Sequence, residues 1–261
     1  MSAGRKREGI VEQTDERMIV SATDLVNHLE CGHLSVLDLY AASQPGLRKP
    51  RLDDPAADVL RKRGDEHERR HLASLMATFE VIEIPAPGGQ DRVSSLRAGE
   101  ANTFAAMQAG ADVIFQATFL DEREDVLWRG HADFLRKSAT PSRLGSHSYE
   151  PEDAKLARRV KASAVLQLCQ YAEQVERLQG SKPELIHVAL GDGRQESVRL
   201  DEVSAYYRSA RRRFLADLDS PPTTYPDPVA HCALCHWAEE CADRREADDH
   251  LTRVARLTGE Q

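Results

Sequence analysis

Helices mixed around a short run of consecutive strands predict an α/β or α+β fold, a short central sheet flanked by helices. Two observations carry the α/β reading, and a third feature of the chain stands apart from it. Strand candidates follow one another at 111–120, 125–137 and 148–157. An amphipathic helix follows at 160–179. Finally, four of the five cysteines form a split set: Cys31 near the start, then Cys232, Cys235 and Cys241 as C-x2-C-x5-C near the end. A group bound by all four would tie the two ends of the chain together.

The elements can be taken in order. Residues 1–17 are expected to be a disordered tail. Ser21-Ala22-Thr23-Asp24 reads as a helix start leading into LVNHLECGHLSVLDLYA, with Cys31 in or just after that helix. Pro45, Gly46, Pro50 and Pro55 mark a loop from Gln44. A helix is predicted over 56–78, with Val59, Leu60, Leu72, Leu75 and Met76 apolar. FEVIEI (79–84) reads as a strand that ends at a Pro/Gly cluster, and 93–109 as a helix. ADVIFQATFL is apolar and β-branched. In DVLWRGHADFLRK, Val126, Trp128, Gly130, Ala132 and Phe134 recur at every second position. The polar stretch 138–146 would join it to SYEPEDAKLA as a hairpin. Val165, Leu168, Cys169, Ala172 and Val175 share one face of the 160–179 helix, where Cys169 reads as a small buried apolar residue. LIHVAL and ESVRL flank Gly191-Asp192-Gly193, a hairpin signal. A helix at 201–218 is followed by Pro221, Pro222, Pro226 and Pro228, then the cysteine trio. The domain reading is a tail at 1–17, one domain at 18–243 and a helical extension at 244–261.

With 41% hydrophobic and 30% charged residues in 261, the composition is that of a soluble globular protein with a modest core. No apolar run approaches the roughly 20 residues that span a bilayer. The charged N-terminus lacks the apolar stretch of a secretory signal. A cytoplasmic location is expected, with no membrane partner. Cysteines stay reduced there, so five of them point to metal before disulfides. A net charge of -8 argues against a chain coated in positive charge for nonspecific nucleic-acid binding. A local basic groove is still compatible with the runs at Arg61-Lys62-Arg63, Arg69-Arg70, Arg158-Arg159 with Lys161, and Arg211-Arg212-Arg213. Each run equally fits a solvated helix face.

Chemistry concentrates between the cysteines. Strand alternation puts His131 and Asp133 on one side, and Asp153 and Lys155 of D-A-K on one side. A hairpin would bring Asp133 and Asp153 together as oxygen ligands suited to Mg2+ or Mn2+. Lys155 could then act on a water or on charge growing at a phosphate. Glu150 and Glu152 compete for the ligand role, and Lys155 alone equally fits a salt-bridge partner. His67, in Gly64-Asp65-Glu66-His67-Glu68, could add an imidazole ligand, or be a surface histidine. Gln167 and Tyr171 lie one turn apart at the border of the helix's apolar face. From there they could reach phosphate or base, or simply mark an amphipathic boundary.

The order G-x2-H-E, G-x2-D, D-x-K, Q-x3-Y, bracketed by C…C-x2-C-x5-C, resembles the RecB-family nucleases of the PD-(D/E)XK superfamily. The likeness is narrower to iron–sulfur members such as AddB and the CRISPR-associated exonucleases, and runs from about Ser21 to Cys241. It implies a restriction-endonuclease-like core, a short mixed central sheet flanked by helices. It implies that His67, Asp133 and Asp153 bind the catalytic metal with the Ala154 carbonyl, that Lys155 is catalytic, and that Gln167 and Tyr171 sit near the scissile strand. Asp153 stands where E-x-K is commoner, and Glu68 is a helper without a fixed role. The opening S-A-T-D-L-V-N-H-L-E-C-G-H-L-S and the ending D-D-H-L-T-R-V-A-R-L resemble a subgroup in which such a region often precedes a superfamily I helicase. The chain is then a stand-alone nuclease module or a truncated relative, with a helicase as a possible partner.

Zinc held by four cysteines usually uses two close pairs. One distant cysteine with a tight trio fits that poorly, and fits the structural [4Fe–4S] cluster that the resemblance implies. Zinc is the lesser alternative, and His33, His231 or His236 could replace a thiolate. The expected activity is metal-dependent hydrolysis of DNA, at single strands or ends, in repair or processing. The alternative is a non-catalytic DNA-binding or assembly module carrying a structural iron–sulfur or zinc site.

Overall fold

The computed structural model describes residues 12–13, 17–44, 50, 55–88 and 91–254. The chain is α/β, with a mixed sheet flanked by helices. The strands are β1 (Glu12–Gln13), β2 (Met18–Ser21), β3 (Val81–Glu83), β4 (Val113–Asp121), β5 (Val126–Ser138), β6 (Ser148–Lys155), β7 (Leu185–Leu190) and β8 (Gln195–Arg199). The helices are α1 (Ala22–Glu30), α2 (Gly32–Ser43), α3 (Pro55–Met76), α4 (Arg92–Ala109), α5 (Ala162–Gln179), α6 (Leu200–Asp219) and α7 (Ala238–Ala247), with 3-10 turns at Ala230–Leu234 and Leu251–Arg253.

The long strand β5 organises the sheet. Antiparallel β4 lines one of its edges from Trp128 to Arg136. Its other edge is shared. Parallel β2 pairs with Val126 to Arg129, and antiparallel β6 pairs with Phe134 to Ser138. Residues 130–133 of β5 pair with neither, so the sheet forks there. Strand β6 then leads away into parallel β7 and the β7–β8 hairpin. Parallel β3 extends the other side through β4.

Local sequence explains the boundaries. The Ser21 N–H and hydroxyl both donate to Asp24 Oδ2, at 2.7 and 2.6 Å, and start α1 where S-A-T-D predicts it. Asp91 caps α4, accepting the Val93 N–H at 3.1 Å. Gly180 ends α5 in the left-handed conformation, φ 72°. The main core joins Trp128, Phe119, Tyr149, Leu168, Val175, Val188 and Phe214 across the sheet and helices α5 and α6. A second cluster seats Leu75 of α3 on Phe115, Phe134 and Ala154.

Four expectations change. The first predicted helix is two, α1 and α2, because Cys31 is extended (φ -160°, ψ 104°). Met18–Ser21 is a strand, and Glu12–Gln13 of the expected tail pairs with it; the rest of residues 1–16 lies outside the described residues. The helix expected at 244–258 is instead α7, which begins at Ala238 and ends at Ala247, followed by a 3-10 turn. Residues 255–261 of the expected extension lie outside the described residues. Among the described residues, no helix is long and apolar enough to cross a membrane.

Candidate active site and cysteine cavity

The fork in the sheet gathers the predicted residues. The β5–β6 ladder runs Ser138↔Ser148 to Phe134↔Glu152 and stops. One step further, the same register sets Asp133 opposite Asp153. There the ladder is replaced by a side chain: the Ala154 N–H donates to Asp133 Oδ2 at 2.9 Å. Both carboxylates are 2% exposed. Lys155 Nζ lies 2.6 Å from Asp153 Oδ2 and donates to Gln167 Oε1 at 3.2 Å. The Gln167 amide donates in turn to Thr23 Oγ at the start of α1, at 3.3 Å. Asp133, Asp153, Lys155 and Gln167 therefore form one cluster drawn from β5, β6 and α5, with α1 closing it.

His67 lies on α3, and Tyr171 lies on α5, one turn beyond Gln167. His67, buried on α3, sets Nε2 3.1 Å from the carbonyl of Ala189. A carbonyl only accepts, so Nε2 carries the proton and Nδ1 the lone pair. Ala189 is the β7 partner of Ala154, which places His67 one strand from Asp153 and two from Asp133. Tyr171 is buried, stacked on Phe119 with centroids 6.4 Å apart. A Cβ on Gly130 would meet Phe119 at 3.2 Å and Tyr171 at 3.4 Å. The glycine of G-x2-D thus lets α5 lie close on β5 beside the site.

The competing carboxylates are engaged elsewhere. Glu152 is fully buried and meets His71 Nε2 at 2.6 Å, Arg136 at 3.4 Å and Gln195. Glu150 accepts from the Leu185 N–H at 3.0 Å and meets His187 Nε2 at 2.9 Å. Burial alone would raise the Glu150 pKa, but those partners hold it below the ordinary value.

At the other end of α1, Cys31, Cys232, Cys235 and Cys241 line one cavity together with His33, Leu34, Leu37, His231 and Trp237. All four thiols are free, and Cys235 and Cys241 pack with Leu34 and Trp237. Burial, and then neighbouring thiolates, raise the thiol pKa of Cys241 to about 11. The Cys235 thiol rises in the same direction, also chiefly through burial. Cys169 lies apart in the main core, its pKa pushed up by burial to about 12. As the side chains stand, no three His, Cys, Asp or Glu residues are grouped to hold a metal ion among the described residues.

Sequence reasoning missed Asp38. Buried on α2, it accepts from Trp237 Nε1 at 2.8 Å and meets His236 Nε2 at 2.9 Å. This contact joins the cysteine segment to the N-terminal helices without any bound group. No sequence pattern pointed to it, because the partners stand 199 residues apart.

No family model matches the chain, and no curated protein matches it. Among solved structures, one titled "Crystal structure of SSO0001" is similar at 14% identity and a TM-score of 0.42, over 88% of each chain. At that level neither fold nor function passes to this chain.

Proposed function

We propose that this protein is a divalent-metal-dependent nuclease of the RecB-like PD-(D/E)XK type. It hydrolyses phosphodiester bonds of DNA, at single strands or ends. The observation that carries the reading is the buried pair Asp133 and Asp153 at the fork, with Lys155 in contact with Asp153. Buried carboxylates are costly without compensation. A divalent cation held between two such carboxylates would supply compensation of that kind.

The donor set is oxygen-rich with one imidazole, which suits Mg2+ or Mn2+. Asp133, Asp153, the Ala154 carbonyl and His67 through Nδ1 would hold the ion. When bound, it supplies an activated water and a Lewis acid for attack on phosphorus. Asp153 would share its carboxylate between the ion and Lys155. Lys155 stabilises negative charge developing on the phosphate oxygens. Gln167 holds the ammonium by its amide oxygen, so the lysine meets the phosphate in a fixed orientation rather than as a mobile chain. Tyr171 keeps α5 seated over Gly130, beside the strand to be cut.

The four cysteines fit a [4Fe–4S] cluster better than zinc: one distant cysteine and a tight trio line one partly apolar cavity, with Leu34, Leu37 and Trp237 in its wall. The cluster's role would be structural. It would fasten the C-terminal segment to α2, where Asp38 already anchors it. A helicase, fused or separate, is the partner that the resemblance suggests.

The test is anaerobic purification with a visible spectrum and an iron and sulfide assay, then Mn2+-dependent cleavage of end-labelled single strands on the same sample. Brown protein that degrades the strand supports both parts. Stoichiometric zinc in a colourless protein rejects the cluster. DNA binding without any metal-dependent product favours the assembly-module reading.

A further inference from the structure

The ladder between β4 and β5 contains one gap. Phe115 pairs with Phe134 and Ala117 pairs with Ala132, but Gln116 and Asp133 do not pair. The cause lies in the backbone of Gln116, which is left-handed at φ 58° in the middle of a strand. A glutamine has no local stabilisation for that conformation, unlike glycine or asparagine. Such strain persists only where the surroundings enforce it, and it clusters at functional sites.

The gap changes which way the strands face. Phe115 and Phe134 pack under α3 with Leu75. Their second neighbours Ala117 and Ala132, which a regular strand would put on the same side, belong to the main core instead. The inversion falls between them, at Gln116 and Asp133. Asp133, at the gap in the β4 ladder, is the residue whose carboxylate takes the Ala154 N–H across the fork.

The Gln116 side chain makes a second link. Its Nε2 donates to Glu68 Oε1 on α3, beside His67. A carboxylate only accepts, so the orientation of this amide is fixed by chemistry. One strained residue therefore both opens the ladder at Asp133 and anchors α3 next to the histidine.

We infer that Gln116 is a positioning residue of the site, acting through Glu68 and Asp133 to set the spacing between His67 and the carboxylates. The inference rests on the metal-nuclease reading. It adds Gln116 and gives Glu68 a role, that of the clamp's acceptor.

Gln116→Gly separates positioning from folding. Glycine accepts the left-handed backbone without strain, so the variant should melt at or above the wild-type temperature while losing the clamp. The expected result is a rise of tenfold or more in the Mn2+ concentration that half-saturates binding, read by calorimetric titration, with a matching fall in cleavage at fixed Mn2+. Glu68→Ala, which removes the acceptor, should shift Mn2+ affinity the same way, and the double variant should be no worse than Gln116→Gly. Wild-type Mn2+ affinity in a folded Gln116→Gly protein overturns the inference and leaves the nuclease reading intact. Additive losses in the double variant also overturn it, since the two residues would then act separately. A wild-type protein that neither binds Mn2+ nor cleaves DNA rejects the nuclease reading, and the inference with it.

Discussion

The Ala154 N–H donates to Asp133 Oδ2 at 2.9 Å, just past the last rung of the β5–β6 ladder. One carboxylate oxygen thus closes the hairpin, and the proposed function gives the carboxylate a second duty as a metal ligand. The two duties can be separated by substitution. Asp133→Asn keeps a carbonyl oxygen for the N–H but removes the charge. It is expected to unfold close to the wild-type temperature and to lose at least about 100-fold in cleavage. Asp133→Ala strands a buried N–H and should also lose about 1–3 kcal/mol of stability in a denaturant titration.

Asp38 is the counterpart at the cysteine end. Asp38→Ala removes the acceptor of Trp237 Nε1 and the partner of His236. The loss expected is about 1–3 kcal/mol, because buried polar groups are left without their partner. Limited proteolysis should then cut in the proline-rich segment 221–228 before the core is attacked. Cleavage there at the wild-type rate would mean that Asp38 does not hold the segment.

Gly191 meets the backbone just beyond Lys155. A Cβ there would stand 2.2 Å from the Leu156 carbonyl oxygen, and a backbone atom cannot swing aside. Gly191→Ala is therefore expected to cost about 1–3 kcal/mol and to displace the end of β6. Thermal denaturation reads the cost. Slower cleavage at saturating Mn2+ reads the displacement.

Glu150 gives the fold an acid limit. Its folded pKa lies below the ordinary 4.5 because His187 and the Leu185 N–H outweigh burial. The unfolded chain then takes up the proton more readily. This contribution is fully present above about pH 4.5 and is lost as pH falls through the lower folded value. Glu150→Gln should flatten the stability profile in that acid window, measured by urea titration at stepped pH. An unchanged slope would assign the acid sensitivity to other carboxylates.

Much of the site was legible because its signals are local. Alternation in 125–137 and 148–157 put Asp133 and Asp153 in adjacent strands, and their register sets them opposite. D-A-K set Lys155 beside Asp153, and one helical turn separated Gln167 from Tyr171. What escaped notice depends on distant partners. Met18–Ser21 is a short strand only because it adds in parallel to Val126–Arg129, more than 100 residues away. The fork, and with it the reason the site lies where it does, follows from that pairing. Helical periodicity runs on across Cys31, hiding the break between α1 and α2. Nothing in the run ADVIFQATFL marks Gln116 as left-handed, since its neighbours favour an unbroken strand.

The central claim is that the Asp133–Asp153–Lys155 cluster cuts phosphodiester bonds with a divalent ion. The direct measurement is Mn2+-dependent cleavage of an end-labelled single strand by wild type and by Lys155→Ala. Both should be purified anaerobically and shown to be folded by circular dichroism at the assay temperature. The account predicts that wild type degrades the strand, that omitting the metal stops it, and that Lys155→Ala is slower by about 100- to 1000-fold. A folded Lys155→Ala protein that cuts as fast as wild type would contradict it.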